Sequence, residues 1–198
     1  MKFLQQAVFL LSFLTVAQSL SFYWDWGRCP KVTVKQDFQV QEYLGTWYEI
    51  SRYPAPFESF DDRCTQAVYS EDERENYIGV YNSGLRPDGS IYSVEGYAWI
   101  PDPEQPGKLK VTFSGSELFA GDYWVLDTDY DRYSLIHSCQ DFLIFHTEIN
   151  WILSHYRQLD DDTLQTLYNQ FADQGVKTKP FQMANQEGCG EEETESVE

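Results

Sequence analysis

For most of its length the chain alternates between apolar and polar positions. Eight runs of strand-forming residues recur: Thr46–Tyr53, Thr65–Ser70, Tyr77–Leu85, Ile91–Ile100, Lys108–Ser114, Asp122–Thr128, Arg132–Ser138 and Phe142–Ser154. Within Lys108–Ser114 the period is plain. Leu109, Val111 and Phe113 face one way, and Lys108, Lys110 and Thr112 the other, as expected of a strand with two unlike sides. Turn residues separate the runs. Arg86-Pro87-Asp88-Gly89 predicts a tight turn, because proline fixes φ and glycine accepts positive φ. Residues 101–107 form a longer loop, and Asp129-Tyr130-Asp131 a short one. Short strands joined in sequence by tight turns predict an antiparallel sandwich or barrel.

After the last run the period changes. Leu164, Leu167, Tyr168 and Phe171 recur at the spacing of one helix face. Asp160, Asp161 and Asp162 are N-cap candidates that also suit the positive end of the helix dipole, and Gly175 supplies the stop. The N-terminus reads differently again. A basic Lys2 precedes an apolar stretch from Phe3 to Val16, and Ala17-Gln18-Ser19 places small residues where a signal peptidase acts. Residues 1–19 are therefore expected to be a secretory signal, with cleavage after Ser21 nearly as well placed. Residues 20–190 are expected to form one domain, and 191–198 an acidic, disordered tail. No later stretch has the length and apolarity of a transmembrane segment.

Thirteen Phe, fourteen Tyr and six Trp suit an interior that is apolar yet dotted with polar tips. The formal net charge of −18 opposes nucleic acid and anionic lipid as partners. Cys29, Cys64, Cys139 and Cys189 imply two disulfides in a secreted chain, spaced too widely for a CxxC redox pair or a zinc site. Joining each terminal cysteine to a mid-chain one clamps both ends onto the body, and two cross-pairings do this equally well. Enzymatic motifs such as H-E-x-x-H, G-x-S-x-G and a phosphate loop are absent, and the three histidines are dispersed. An enzyme is thus not expected, and neither a catalytic residue, a metal nor a cofactor is assigned.

Gly45-Thr46-Trp47-Tyr48-Glu49-Ile50 at the start of the first strand resembles the G-x-W signature of the lipocalin family. Thr128-Asp129-Tyr130 resembles its second motif. The order of elements and the trailing helix agree, over roughly Cys29 to Cys189. Within the family the chain looks most similar to the apolipoprotein D-like branch and its insect Lazarillo and bilin-binding members. The stretches Tyr43–Ile50, Leu85–Gly89 and Tyr123–Tyr130 carry that likeness. The resemblance implies an eight-stranded antiparallel up-and-down barrel with one C-terminal helix packed outside, and disulfides Cys29–Cys139 and Cys64–Cys189. It implies a secreted carrier of one small hydrophobic ligand, of fatty acid, steroid or retinoid type. A bilin or carotenoid carrier is the alternative, and a barrel that docks a cell-surface receptor a further one.

Parity leaves two faces open for each strand, and the resemblance selects the ligand set. Tyr69, Asn82, Phe113 and Trp124 are inward candidates, with Tyr133, Leu135 and His137 on the seventh strand, Trp151 and Leu153 on the eighth, and Arg86 near the mouth. The loop Tyr53–Phe60 is expected to arch over that mouth, stiffened by two prolines, with Phe57 and Phe60 as caps. One departure concerns the closed end. Most relatives end the last strand with an Arg lying over the signature Trp. This chain has His155 there and Arg157 two residues on, both with the parity to reach Trp47. The favoured expectation is that Arg157 takes over the lid after a small shift, or that His155 is merely a packed aromatic.

Overall fold

A computed structural model describes residues 22–190, so the expected signal and the acidic tail lie outside the described residues. The strands are β1 (Tyr23–Trp26), β2 (Gly45–Arg52), β3 (Arg63–Glu71), β4 (Tyr77–Leu85), β5 (Ile91–Trp99), β6 (Lys108–Thr112), β7 (Gly121–Thr128), β8 (Ser134–Asp141), β9 (Phe145–Ser154) and β10 (Gln182–Met183). Two α-helices accompany them, α1 (Val40–Tyr43) and α2 (Asp161–Asp173). From β2 to β9 each strand pairs antiparallel with the next, and β9 returns to pair with β2. Eight strands thus close into an up-and-down barrel, which removes the edges an open sheet would expose.

These eight are the runs read from the sequence, with shifted ends. β6 stops at Thr112, and the last hairpin turns at residues 142–144, where the Phe142 amide donates to the Phe145 carbonyl at 2.8 Å. At the Arg86 turn, Gly89 adopts φ of 82° and the Ser90 amide and hydroxyl donate to Asp88 Oδ1 at 2.9 and 2.6 Å. Asp160 is the residue that caps α2, accepting the Thr163 amide at 2.8 Å. Gly175, at φ of 81°, follows its C-terminal end.

Two short strands have no counterpart among the eight runs. β2 bulges between Glu49 and Ser51 and covers β9 only from Trp151 to Ser154. The remaining length of β9 is covered on that side by β1, with Tyr23 opposite Glu148 and Trp26 opposite Phe145. β10 pairs in the same way beside Ser51 and Arg52 of β2.

Apolar side chains gather in two layers. Inside the barrel lie Trp47, Ala67, Tyr69, Val80, Leu109 and Ile136. Outside it, Ile50, Leu126, Leu135 and Ile152 pack with Val34 of the N-terminal arm and with Leu167 and Phe171 of α2. Each large side chain buried there contributes about 1.5–3 kcal/mol relative to exposure. Disulfides Cys29–Cys139 and Cys64–Cys189 fasten arm and tail to the barrel, the pairs that the resemblance implied.

Candidate functional site: the barrel cavity

One end of the barrel is shut by stacked rings. Gly45 enters β2 at φ of 121°, a conformation that favours glycine. Two residues on, Trp47 is wholly buried, and its indole N–H donates to the Tyr43 carbonyl of α1 at 2.9 Å. The Tyr43 ring stacks on one side of Trp47, with centroids 4.8 Å apart, and His155 lies on the indole at 3.8 Å. A hydrogen bond from His155 Nδ1 to the Thr46 carbonyl, 2.6 Å, fixes the imidazole. Arg157 instead lies over the Tyr48 ring at 4.0 Å and donates to Gln186 Oε1 at 2.8 Å. Arg157 therefore does not take over the lid, which corrects that half of the expectation: His155 itself packs as an aromatic on Trp47, because Gln186 and Tyr48 hold the arginine elsewhere.

The second motif locks the adjacent turn. Tyr130 adopts φ of 64°, and Asp129 Oδ1 accepts the amides of Arg132 and Tyr133 at 2.8 and 2.9 Å. Thr128 donates its hydroxyl to the Tyr133 carbonyl at 2.7 Å, and the Tyr130 hydroxyl accepts the Gln39 amide at 2.9 Å. The turn thus holds the segment leading into α1 across the closed end.

Above this floor is a cavity of about 300 Å³. Its wall is mostly apolar, from Ala67, Ile78, Val80, Leu109, Val111, Ile149, Trp151 and Leu153. Three phenols add polarity: the Tyr123 hydroxyl lies 3.0 Å from that of Tyr43 and 2.7 Å from that of Tyr69. Burial pushes all three above the usual tyrosine range, so they stay neutral. Where β2 meets the loop after it, Glu49 and Glu58 also reach the wall and share one guanidinium. Arg52 Nε lies 3.0 Å from Glu49 Oε1 and 3.0 Å from Glu58 Oε2, but its single hydrogen is directed at Glu49. The rest of Arg52 is committed to the carbonyls of Tyr53 and Ser59. Burial, and then the neighbouring Glu58, raise the Glu49 carboxyl well above the usual range, and burial raises Glu58 as well. Glu58 Oε2 and Asn82 Oδ1 are buried on this side of the cavity without hydrogen-bond partners. Among the described residues, the wall includes no Lys, Arg or His.

Of the residues selected from the sequence, Tyr69, Asn82, Phe113, Trp151 and Leu153 line the cavity. Trp124, Tyr133, Leu135 and His137 do not, and their inward placement is corrected. The inner residues of β7 and β8 are Tyr123, Val125, Ile136 and Ser138. Leu135 belongs to the outer layer, with Trp124 and Tyr133 packed against it. His137 is buried in contact with Asn150, 2.7 Å away. Hydrophobicity alone does not distinguish the faces, because α2 and the N-terminal arm make the outer one apolar too. Arg86 also lies off the wall, its guanidinium 5.7 Å from the Tyr92 ring. The loop after β2 does supply Phe57 to the cavity, whereas Phe60 packs against the Arg52 guanidinium at 4.0 Å. Tyr43, Tyr123, Glu49 and Glu58 were missed. Glu49 had a signal, since it shares the parity of Trp47.

A family model described as a lipocalin-like domain matches residues 38–186. Apolipoprotein D of Oryctolagus cuniculus is 37% identical over 183 residues, covering 92% of this chain and 94% of that protein. Lazarillo protein of Schistocerca americana is 35% identical over 144 residues, 69% of this chain and 64% of that one. Among solved structures, insecticyanin from the tobacco hornworm Manduca sexta aligns with a TM-score of 0.69 at 27% identity, over 83% of this chain and 89% of its own.

Proposed function

This chain belongs to the lipocalin family, whose members carry small hydrophobic ligands, and on that premise we propose that it is a secreted carrier of one fatty acid, steroid or retinoid. The observation that carries the reading is the cavity itself: apolar, sealed at one end by Trp47 and His155, and entered beneath Phe57 at the other. Its volume lies at the low end of the range for ligand sites, which favours these classes over a larger tetrapyrrole. With the ligand skeleton among Leu109, Val111, Ile149 and Leu153, affinity comes from burial, and the phenols and Asn82 orient one polar group. Lacking a cation on the wall, the cavity leaves the carboxylate of a fatty acid at the mouth. Two disulfides support secretion, as does the signal read from residues 1–19. No catalytic role is assigned to any residue.

Tryptophan fluorescence tests this directly, because Trp151 lines the cavity and Trp47 lies in its floor. The mature protein is titrated with arachidonic acid, progesterone, retinol and biliverdin. Saturable quenching at micromolar or lower concentration by one of the first three is expected. Quenching by biliverdin alone, with visible absorbance, selects the pigment-carrier alternative. Silence from all four, with both disulfides formed, rejects carriage and leaves receptor docking as the reading.

A further inference from the structure

Where β2 runs into its following loop, the cavity wall holds more negative charge than the fold neutralises. Glu49 and Glu58 both reach the wall, and among the described residues Arg52 is the cation that meets them. The other hydrogens of Arg52 go to the carbonyls of Tyr53 and Ser59. Two carboxylates against one guanidinium leave the trio one charge short of neutral, among apolar side chains. Asp122, the third acid of the wall, is paired with Lys110 at 2.7 Å and adds nothing to the deficit. An enclosed charge without a counter-charge is costly, and burial accordingly raises both glutamates above the usual carboxyl range.

The unmet atoms are also of one kind. Glu58 Oε2 and Asn82 Oδ1 are buried oxygens that no hydrogen reaches. Arg52 Nε lies 3.0 Å from Glu58 Oε2, yet its hydrogen is directed at Glu49. Glu58 is held in place, since its amide donates to the Ala55 carbonyl at 3.4 Å and its side chain is only 11% exposed. Tyr48 pairs with Gln66, and Ala67 with Asn82, so Glu49 and Asn82 enter the cavity on the two sides of β3. Buried polar atoms nearly always find a partner, and beside a cavity the missing partner belongs to the ligand. A ketone brings only an acceptor, and a carboxylate adds repulsion. A hydroxyl brings one hydrogen and no charge. An ammonium brings three hydrogens and the positive charge that the trio lacks. The net charge of −18 on the chain draws cations toward the molecule as well.

We propose that the cavity takes a hydrophobic amine, its ammonium head on Glu58 Oε2 with Asn82 Oδ1 as the adjoining acceptor, and its apolar body against Leu109, Val111 and Leu153. The assignment rests on the carrier reading of the cavity and extends it to a cationic class. The test is calorimetric titration of the mature, disulfide-bonded protein with decylamine, decanol and decanoic acid, at neutral pH and physiological salt. The three probes share one chain and differ at the head. Decylamine is expected to bind about tenfold more tightly than decanol, and decanoic acid most weakly. Glu58→Gln removes the charge and keeps the size. It is expected to weaken decylamine about tenfold and to strengthen decanoic acid. The matched probes decide on wild type alone, so the test stands even where the thermal midpoint shows the variant to be misfolded. Equal affinity for amine and alcohol, or a preference for the acid, overturns the proposal. So does undiminished decylamine binding by a folded Glu58→Gln variant, which assigns the amine to the acidic outer surface. Titration with arachidonic acid, progesterone and retinol separates the two readings. Binding of one of these without amine preference keeps carriage and rejects the amine site. Amine selectivity with silence from all three supports the amine site and rejects the fatty acid, steroid and retinoid classes.

Discussion

At Glu49 a carboxyl group is enclosed between the cavity, Glu58 and Arg52, and the sign of its pH effect follows from that enclosure. Its folded-state pKa lies above the ordinary glutamate value, so the folded state binds the proton more tightly than the unfolded chain. The contribution to stability is complete below about pH 4.5 and is lost as pH rises toward the raised folded value, with a slope of up to about 1.4 kcal/mol per pH unit. Glu49→Gln keeps an acceptor for Arg52 and abolishes that titration. We expect the variant to match wild type near pH 4.5 and to gain on it by about 1 kcal/mol or more at neutral pH, measured by urea unfolding across that range. Residues of this kind were poorly legible in the sequence. Gly45 and Trp47 announced themselves by spacing, but the fate of Arg157 depended on Gln186, twenty-nine positions away, which no local pattern reveals.

Among the elements, the long alternating strands and α2 were legible because their periods persist over several residues and end in turn chemistry. β1 was not, since four residues hold too little alternation to register, and its reason for existing is the uncovered length of β9. Which face of β7 and β8 points inward is hidden by the outer apolar layer, and the resemblance that chose between the faces put Leu135 and Trp124 on the wrong side. The role of β1 yields a prediction at this scale. Removing residues 22–26 deletes its ladder hydrogen bonds and the Tyr23 ring that meets Tyr53 edge-on at 4.8 Å. A loss of about 2 kcal/mol is expected, roughly 5 °C in thermal midpoint for a chain of this size. The uncovered edge of β9 should also pair between molecules, read as a dimer or larger species by sedimentation.

At the scale of the whole molecule, the barrel divides the work: one end is sealed by rings, the other is open and apolar, and the two disulfides hold the N-terminal arm and the C-terminal tail against the outside. Replacing Cys64 and Cys189 together by serine is expected to cost about 2–5 kcal/mol, read by chemical unfolding without reductant, because the released tail includes Gln186, whose side chain donates to the carbonyls of Glu49 and Thr65 at 2.9 and 2.7 Å. The order of the four cysteines along the chain has a consequence of another kind. The bonds 29–139 and 64–189 interlock in sequence, so any single protease cut between Cys29 and Cys189 leaves both fragments covalently joined. A nick in an exposed loop therefore produces a clipped but intact particle, which runs as one band without reductant and as two with it. Release of a free piece from within this span requires two cuts between the same pair of neighbouring cysteines, so under proteolysis damage becomes loss at the second hit at the earliest.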